Sequence, residues 1–286
     1  MEDDATQIAD VLVCDEGQRL ALTTPNVLRR AQVVVVFFDE GQVLNTAERG
    51  TEVGLAGACD ELGIQPRFFR LPTPHRCRGG QAYLSWIDAL LEEPQSAIKR
   101  PRAWAKDYQL EVVPHPEAVR TWLRQRAGRT GLLASFTRAS GRDGGTNPRD
   151  LGRVRVPEVH PPVRWLMEPR TEYVPFYLDG KSNDLDTCAS IYGCQGFELD
   201  YAGLFWGDDL VFRQGRWAIG NPDDCFDRAP GARSLSRLMR EEPFTALVLL
   251  RNRYRILLTR GIFGTVVHCE DPETRSFLNS ALSNGA

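Results

Sequence analysis

The sequence predicts an α/β protein, with parallel strands flanked by helices, and two observations lead to this fold class. Residues 11–14 and 33–38 form continuous apolar runs of strand length that are rich in β-branched residues. Such runs are expected of strands that are buried on both faces of a parallel sheet. Segments with helical spacing of apolar residues alternate with these and further short apolar runs, as is typical of α/β architecture.

The elements of the first half follow in chain order. After the two apolar strands, residues 48–62 are predicted to form a helix that ends at Gly63, and residues 67–71 a short strand. Apolar residues at helical spacing predict a helix from Gly80 to just before Pro94. A helix over residues 116–127 and a strand over residues 131–136 complete this half.

The second half begins with residues 137–184, which are rich in Gly, Pro and Arg and are predicted to form a long irregular connection. Regular structure is predicted to return in five segments: strands at 187–192, 203–206 and 265–269, and helices at 243–258 and 272–281.

Composition and charge exclude several classes of protein. The 286 residues are enough for one large or two medium domains, and the net charge of −3 draws the chain to no polyanion as a whole. The seven cysteines include no C-x-x-C pair, so a disulfide framework and a zinc site are disfavoured. The longest apolar run, residues 33–38, is too short for a membrane span, and the N-terminus is acidic rather than signal-like. We therefore expect a cytoplasmic protein with no membrane partner.

Acidic side chains follow both apolar strands. Asp15 and Glu16 come directly after the first strand, and Asp39, Glu40 and Gln42 follow the second. One carboxylate at such a strand end can hold a hydrated Mg²⁺ while another orients an attacking water. A solvated polar turn is the alternative at both places.

Two later segments combine charge with turn residues. In the segment CQGFELDYAGLFWGDDL, Glu198 and Asp200 are two positions apart and would lie on the same side of an extended chain. A pair of nearby carboxylates leaves a carboxylate-based nuclease as one alternative. In LLRNRYRILLTRG, Arg260 ends the predicted helix just before Gly261. A cation there is favourable to the helix dipole, so a purely structural role for Arg260 is an alternative.

Taken in order, these segments and RLPTPHRCRGGQAYLSWIDALL resemble the motor of superfamily 1 helicases, and in particular the Schlafen group 3-like DNA/RNA helicase domain. The resemblance covers roughly residues 8–91 and 186–278. It implies two RecA-like domains that clasp ATP and Mg²⁺ and move along DNA or RNA. Residues 1–71 would form a partial first domain, and residues 72–286 a more complete second domain with an irregular insertion around 137–185.

The resemblance also implies roles for individual residues. Asp15 would hold Mg²⁺, Glu16 would activate the hydrolytic water, and Gln42 would sense the γ-phosphate. Arg76 and Arg260 would offset charge on the transferring phosphoryl group.

The fifth helicase motif, which couples the nucleotide to the bound strand, falls on Gln195, Gly196 and Glu198. Three aromatic residues nearby are candidates for base stacking or for the core: Phe197, Tyr201 and Trp206.

The phosphate-binding loop of the family is absent from these 286 residues. A G-x-x-x-x-G-K-[ST] stretch should precede Asp15 by many tens of residues, and no such stretch occurs. The G-K-S at residues 180–182 has Pro175 where the first glycine is required. In a RecA-like sheet the loop-bearing strand lies between the strands at 33–38 and 67–71. Without it, we expect these two to have unpaired edges or to close against each other.

Two functions are therefore predicted. The first is the C-terminal portion of a superfamily 1 helicase-like ATPase, truncated or split, which is inactive alone unless a separate chain supplies the phosphate loop. The second is a non-catalytic module, derived from a helicase, that binds nucleic acid or protein.

Overall fold

The computed structural model describes residues 9–20, 24–71, 77–135, 163–166, 169–225 and 231–283. The chain divides into two compact units, Met1–Leu71 with Arg228–Arg233, and Pro72–Asp227 with Ser234–Ala286. Both units contain parallel strands with flanking helices. The predicted α/β fold class is confirmed.

The first unit is built on a pair of parallel strands. Its described helices and strands are β1 (Ala9–Cys14), α1 (Thr24–Leu28), β2 (Ala31–Val36) and α2 (Glu52–Glu61). The two strands pair from Ala9 opposite Ala31 to Cys14 opposite Val36. Helix α2 begins after Thr51, whose hydroxyl accepts a hydrogen bond from the amide of Gly54, and it is followed by Gly63 with a φ of 65°. A threonine N-cap and a left-handed glycine after the last turn are the usual helix boundaries.

One face of this two-stranded sheet packs against helices. Val34 contacts a small core formed by Leu28, Ala58 and Cys59, which lie on or beside α1 and α2. Because side chains alternate along a strand, the residues on either side of Val34 point away from this core.

The opposite face is exposed, and we call its four residues the valine face: Val11, Val13, Val33 and Val35. Their exposed fractions are 57%, 60%, 53% and 39%. The expectation that both strands are buried on both faces is wrong for the described residues, because no described helix covers this side.

The strand predicted at residues 67–71 does not form. These residues have no regular secondary structure, and Phe69 and Leu71 are 83% and 79% exposed. Since the segment has no strand partner among the described residues, its apolar composition does not by itself produce a strand.

The second unit contains a parallel sheet of six strands within the described residues, in the order β3-β10-β7-β4-β6-β5. The sheet strands are β3 (Gln109–Val113), β4 (Thr130–Ala134), β5 (Arg164–Trp165), β6 (Thr187–Ser190), β7 (Leu199–Trp206) and β10 (Gly261–Cys269). The unit also has a separate hairpin of β8 (Leu210–Arg213) and β9 (Arg216–Ile219). Its helices are α3 (Gly80–Glu92), α4 (Pro94–Ala97), α5 (Pro116–Arg124), α6 (Pro169–Tyr177), α7 (Leu235–Glu241), α8 (Pro243–Leu258) and α9 (Pro272–Ser283).

Strand β7 lies near the centre of this sheet, between β4 and β10. Gly203 on β7 lets α5 pack directly on the sheet, because a Cβ there would lie 2.6 Å from the Cγ1 of Val119 and 2.7 Å from the Cδ1 of Leu123. Both helix residues are fully buried, together with Leu132 of β4. The core of the unit therefore lies between α5 and the central strands.

Two parts of the second unit differ from the sequence prediction. The prediction of an irregular connection over residues 137–184 is wrong for the residues that form β5 and α6. Residues 136–162 lie outside the described residues. The hairpin of β8 and β9 was not predicted. Its two loop residues, Gln214 and Gly215, have φ values of 51° and 80°, as a two-residue hairpin loop of type I′ requires.

A charged cluster fixes the junction between β10 and α9. The carboxylate of Asp271 accepts hydrogen bonds from both guanidinium nitrogens of Arg213 and, at 2.8 Å, from the amide of Thr274. The hydrogen bonds from Arg213 come first among the causes that lower the pKa of Asp271 from 3.8 to about 2. Asp271 thus acts as the N-cap of α9 and ties it to β8.

This cluster gives a pH prediction. A carboxylate whose pKa is lowered on folding stabilises the fold above its unfolded pKa and loses that contribution as the pH falls. We expect Asp271→Asn to lower the free energy of unfolding by about 1 to 2 kcal/mol at pH 7, a figure reduced for the partial exposure of Arg213. The difference from the unsubstituted protein should shrink between pH 4 and about pH 2, as urea denaturation at several pH values would show. A difference that stays constant over this range would contradict the assignment.

Among the described residues, no helix is both long and apolar enough to cross a bilayer.

Candidate nucleotide site

The predicted magnesium and water-activating residues lie where β1 ends. Asp15 is exposed, and its Oδ1 accepts a hydrogen bond of 2.8 Å from the amide of Glu16. Glu16 has a φ of 53°, in the left-handed region that non-glycine residues seldom adopt. Its carboxylate accepts a hydrogen bond of 2.7 Å from the Nε2 of Gln18 and lies 3.7 Å from the Nε of Arg19. The Glu16 side chain is thus held at the carboxyl end of the strand, where open α/β sheets bind their ligands.

Gly17 is required by the close approach of β2. A Cβ on Gly17 would lie 2.3 Å from the Cγ1 of Val36 and 2.9 Å from the carbonyl oxygen of Phe37. Its amide donates a hydrogen bond of 2.7 Å to that same carbonyl. Glycine is therefore required here, because the chain after β1 packs tightly against the end of β2.

The end of β2 carries the third predicted residue. Asp39 accepts hydrogen bonds from the amide of Gly41 at 2.9 Å and from the Nε2 of Gln42 at 3.0 Å. Within the described residues, the Oε1 of Gln42 is buried and has no hydrogen-bond partner. Gln42 is therefore oriented by Asp39 and keeps an acceptor for a further group.

The ends of β1 and β2 are joined by Gln18. This side chain is 1% exposed, donates to Glu16, and accepts a long hydrogen bond of 3.4 Å from the amide of Asp39. Glu16, Gln18, Asp39 and Gln42 thus form one hydrogen-bonded group, which we call the carboxyl-end cluster. The positioning roles of Gln18 and Asp39 were not predicted, although both residues lie just beyond neighbouring strand ends.

The donor set suits Mg²⁺ that arrives with a phosphate. Carboxylate oxygens such as those of Asp15 are the ligands that Mg²⁺ prefers, and the ion commonly takes its other ligands from phosphates and water. Among the described residues, no group of three or more His, Cys, Asp or Glu side chains could hold a metal ion alone. Asp15 could therefore contribute one carboxylate oxygen to such an ion.

The second unit places Arg260 beside the predicted fifth motif. Arg260 is 4% exposed, and its Nη1 donates long hydrogen bonds to the carbonyl oxygens of Cys194 (3.4 Å) and Phe197 (3.5 Å). The carbonyl of Arg260 accepts a hydrogen bond of 3.1 Å from the amide of Leu199. The structure thus brings Arg260 together with the loop that contains Gln195.

The three motif residues of that loop differ in exposure. Gln195 is 7% exposed, Glu198 is half-buried, and Gly196 is exposed with a φ of 80°. A left-handed turn at Gly196 is why glycine is needed at this point.

The aromatic residues near this loop mostly serve packing. Phe197 stacks on Tyr177 with ring centroids 4.1 Å apart, and Trp206 stacks on Tyr254 at 3.9 Å. Asp200 accepts a hydrogen bond of 2.7 Å from the amide of Arg129, so this carboxylate clamps a loop. That role weakens the nuclease alternative.

Two further candidates from the sequence are Arg76 and the G-K-S segment. Arg76 lies outside the described residues. The G-K-S at residues 180–182 forms a tight turn after α6, where Gly180 has a φ of 78° and Ser182 is 1% exposed. Because a helix with Pro175 inside it precedes this turn, the turn is not a strand–loop–helix phosphate site.

Polar groups at the ends of parallel strands, together with an arginine at the start of β10, fit a helicase domain, and comparison with known proteins supports this class. The sequence profile of the Schlafen group 3, DNA/RNA helicase domain matches residues 2–271. The chain belongs to this family. It is also similar to an uncharacterized protein of Saccharomyces cerevisiae, with 24% identity over 307 residues. That similarity covers 95% of this chain and 64% of the yeast protein, so the chain spans less than two thirds of the length of this relative.

Proposed function

We propose that this chain is part of a helicase-like ATPase and that a polypeptide outside these 286 residues supplies its phosphate loop. The single observation that carries the proposal is the carboxyl-end cluster, which holds Glu16 and Gln42 at adjacent strand ends next to the exposed Asp15. Membership of a helicase family supports it. In isolation the chain hydrolyses no ATP.

Each residue of the first unit has a chemical task in this proposal. Asp15 contributes a carboxylate to the Mg²⁺ of a bound ATP, and that ion, when present, neutralises charge on the phosphates. Glu16 accepts the proton of the attacking water, and Gln18 fixes its carboxylate for that task. Gln42 accepts a hydrogen bond from that water through its buried carbonyl oxygen. Arg260 is the candidate cation of the second unit.

The valine face indicates where the missing polypeptide docks. Parallel sheets are usually covered on both faces, and a sheet of two strands is marginal by itself. Four exposed valines in register on neighbouring strands would lose apolar area from water if an apolar helix lay across them. We therefore infer that the partner brings a strand and an apolar helix along with the phosphate loop.

The test is nucleic-acid-stimulated ATP hydrolysis, measured with the chain alone and with the chain mixed with a polypeptide that carries a helicase phosphate loop. We expect hydrolysis in the mixture alone, and a loss of at least about 100-fold with Glu16→Gln, since a general base commonly contributes that much. Glu40→Gln is the matched control, because Glu40 lies at the end of β2 and accepts a hydrogen bond from the amide of Glu52. Equal rates in the chain alone and the mixture, or an unaffected Glu16→Gln protein, would overturn the proposal.

Docking can be tested separately from hydrolysis. Val33→Lys lies on the valine face and should prevent association while leaving the free energy of unfolding within about 0.5 kcal/mol, because the side chain is already exposed. Val53→Lys on α2 is the control, since Val53 is 82% exposed and points elsewhere. Association measured by sedimentation should be lost in the first variant and kept in the second. If both variants associate equally, the valine face is not the docking site.

A second candidate is a non-catalytic module that binds nucleic acid or protein. The burial of Arg260 among backbone carbonyl oxygens favours it, because the arginine already has a structural task without nucleotide. The test is the affinity of the chain alone for single-stranded DNA or RNA at several salt concentrations. Salt-dependent binding, with an affinity that ATP does not change in the presence or absence of the partner, would favour the non-catalytic module.

A further inference from the structure

Two arginines and three aromatic rings form a continuous series in the second unit. The guanidinium of Arg78 lies 4.6 Å from the ring centroid of Phe263, and the Phe263 and Tyr201 centroids are 5.7 Å apart. Tyr201 meets Trp122 edge to face at 5.7 Å, and Arg126 lies 4.0 Å from the Trp122 centroid. We call these five residues the arginine–aromatic ladder.

Three different parts of the unit hold the ladder together: the paired strands β7 and β10, the loop that carries Arg78, and helix α5, which carries Trp122. Phe263 and Tyr201 lie near the starts of the paired strands β10 and β7, where Gly264 is opposite Tyr201. The loop that carries Arg78 is tied to β10 by a hydrogen bond of 2.9 Å from the amide of Arg78 to the carbonyl of Ile262. Because strand and helix scaffolds position these groups, the spacing of the rings is fixed before any ligand binds.

The ladder is open at its cationic ends. Arg78 is exposed, and Phe263, Tyr201 and Arg126 are each partly exposed, whereas Trp122 is buried behind them. Within the described residues, the Nε of Arg126 is buried and has no hydrogen-bond partner. A guanidinium that stacks on a ring through its face keeps its N–H groups in the plane of the fork, where they can meet phosphate oxygens.

One acidic group borders the ladder. The Nε1 of Trp122 donates a hydrogen bond of 2.7 Å to the carboxylate of Glu111, an exposed residue of β3. This carboxylate sets the Trp122 ring in place, and it also opposes a polyanion at that end of the ladder.

We propose that the arginine–aromatic ladder binds single-stranded nucleic acid. Arg78 and Arg126 contact phosphates on either side of the Phe263 and Tyr201 rings, and a base stacks on the exposed part of those rings. Aromatic rings flanked by cations suit such strands, because every base has a π-face and every linkage carries a charge. The inference rests on the nucleic-acid binding of the proposed function and names the site for it.

The ladder adjoins the predicted motif residues. Tyr201 follows Glu198 by three positions and Phe263 follows Arg260 by three, and Leu199 is paired with Gly261 between them. The Phe263 and Tyr201 rings therefore lie within three residues of Arg260 along β10 and of Glu198 along β7.

The test is fluorescence anisotropy with labelled single strands of DNA and of RNA, using the full chain. We expect Arg78→Ala and Phe263→Leu each to weaken binding about tenfold, the usual size of a lost stacking or cation contact. The slope of log affinity against log salt should fall by about 0.7 with Arg78→Ala. Arg78→Lys should keep that slope and lose affinity, because lysine retains the charge without the planar group.

Arg124→Ala is the matched control, since Arg124 ends the same helix as the ladder tryptophan and pairs with Glu117. It should bind within about twofold of the unsubstituted chain, and Glu111→Gln should bind more tightly. If the chain binds strands but the Arg78 and Phe263 variants match Arg124→Ala, the ladder is overturned and nucleic-acid binding stands elsewhere. If the unsubstituted chain binds neither DNA nor RNA at low salt, both this inference and the nucleic-acid part of the proposed function are overturned. Tighter binding of single-stranded DNA than of single-stranded RNA, or the reverse, identifies the class of nucleic acid that the ladder binds.

Discussion

Replacing Arg260 by alanine is expected to lower the free energy of unfolding of the second unit by about 2 to 3 kcal/mol. The side chain is 4% exposed and donates to the carbonyl oxygens of Cys194, Phe197 and Ile256. Alanine would leave these acceptors buried with fewer donors and would open a cavity at the start of β10. Chemical denaturation followed by tryptophan fluorescence measures the change.

Arg237→Ala is the control for this result, because Arg237 is 63% exposed in its side chain and pairs with Glu241 on the helix surface. Its effect should stay within about 0.5 kcal/mol. If Arg260→Ala is no more destabilising than Arg237→Ala, then the hydrogen bonds of Arg260 do not stabilise the fold as expected here. This measurement must precede any use of Arg260→Ala in hydrolysis assays, since a loss of rate could otherwise come from a loosened Gln195 loop.

Replacing Gly50 by alanine is expected to destabilise the first unit by at least about 3 kcal/mol. A Cβ on Gly50 would lie 1.7 Å from the carbonyl oxygen of Gly17 and 2.7 Å from the Cα of Gln18. Both are backbone atoms, so the loop after β1 has to move as a whole. The displaced loop carries Glu16 and Gln18, and the carboxyl-end cluster should come apart with it. Hydrogen exchange at β1 and β2 should accelerate while the sheet of the second unit stays protected.

Gly57→Ala provides the opposite result in the same unit. Gly57 lies within α2, and nothing is within 4 Å of the position of its Cβ. Alanine there should stabilise the unit by about 0.5 to 1 kcal/mol, because it lowers the entropy of the unfolded chain and favours helix. If Gly50→Ala leaves hydrogen exchange unchanged, the packing of residue 50 against the Gly17 loop is wrong.

Local signals in the sequence were sufficient for many elements. Helix α8 runs over Pro243–Leu258, as predicted, because a proline in its first turn and a glycine soon after its end mark the boundaries. Helix α3 begins at Gly80 and β10 ends at Cys269, also as predicted. The hairpin of β8 and β9 was missed because Gln-Gly is a weaker turn signal than Asn-Gly or Asp-Gly.

Burial in the first unit was not predictable from hydrophobicity alone. The runs at residues 11–14 and 33–38 have the composition of strands covered on both sides, yet Val11 and Val33 are more than half exposed. Composition reports the environment for which a strand is suited. It does not show whether a helix or another segment covers both faces of the strand in the folded chain.

The candidate site shows the same division. Acidic and amide side chains at two strand ends could be found from the sequence, since strand ends are marked by the change from apolar to polar residues. The link through Gln18 could not, because it depends on the parallel pairing of β1 with β2. The burial of Arg260 likewise depends on carbonyl groups of a loop far away in the sequence.

We propose that these residues serve ATP when a phosphate loop is brought to them and hold no ATP without it. Isothermal titration of the chain alone with ATP and Mg²⁺ tests this most directly. The expected result is no saturable heat up to about 1 mM, the upper end of the usual range for enzyme substrates. Saturable binding of one ATP per chain, lost with Asp15→Asn, would contradict the claim and would place a phosphate grip within these 286 residues.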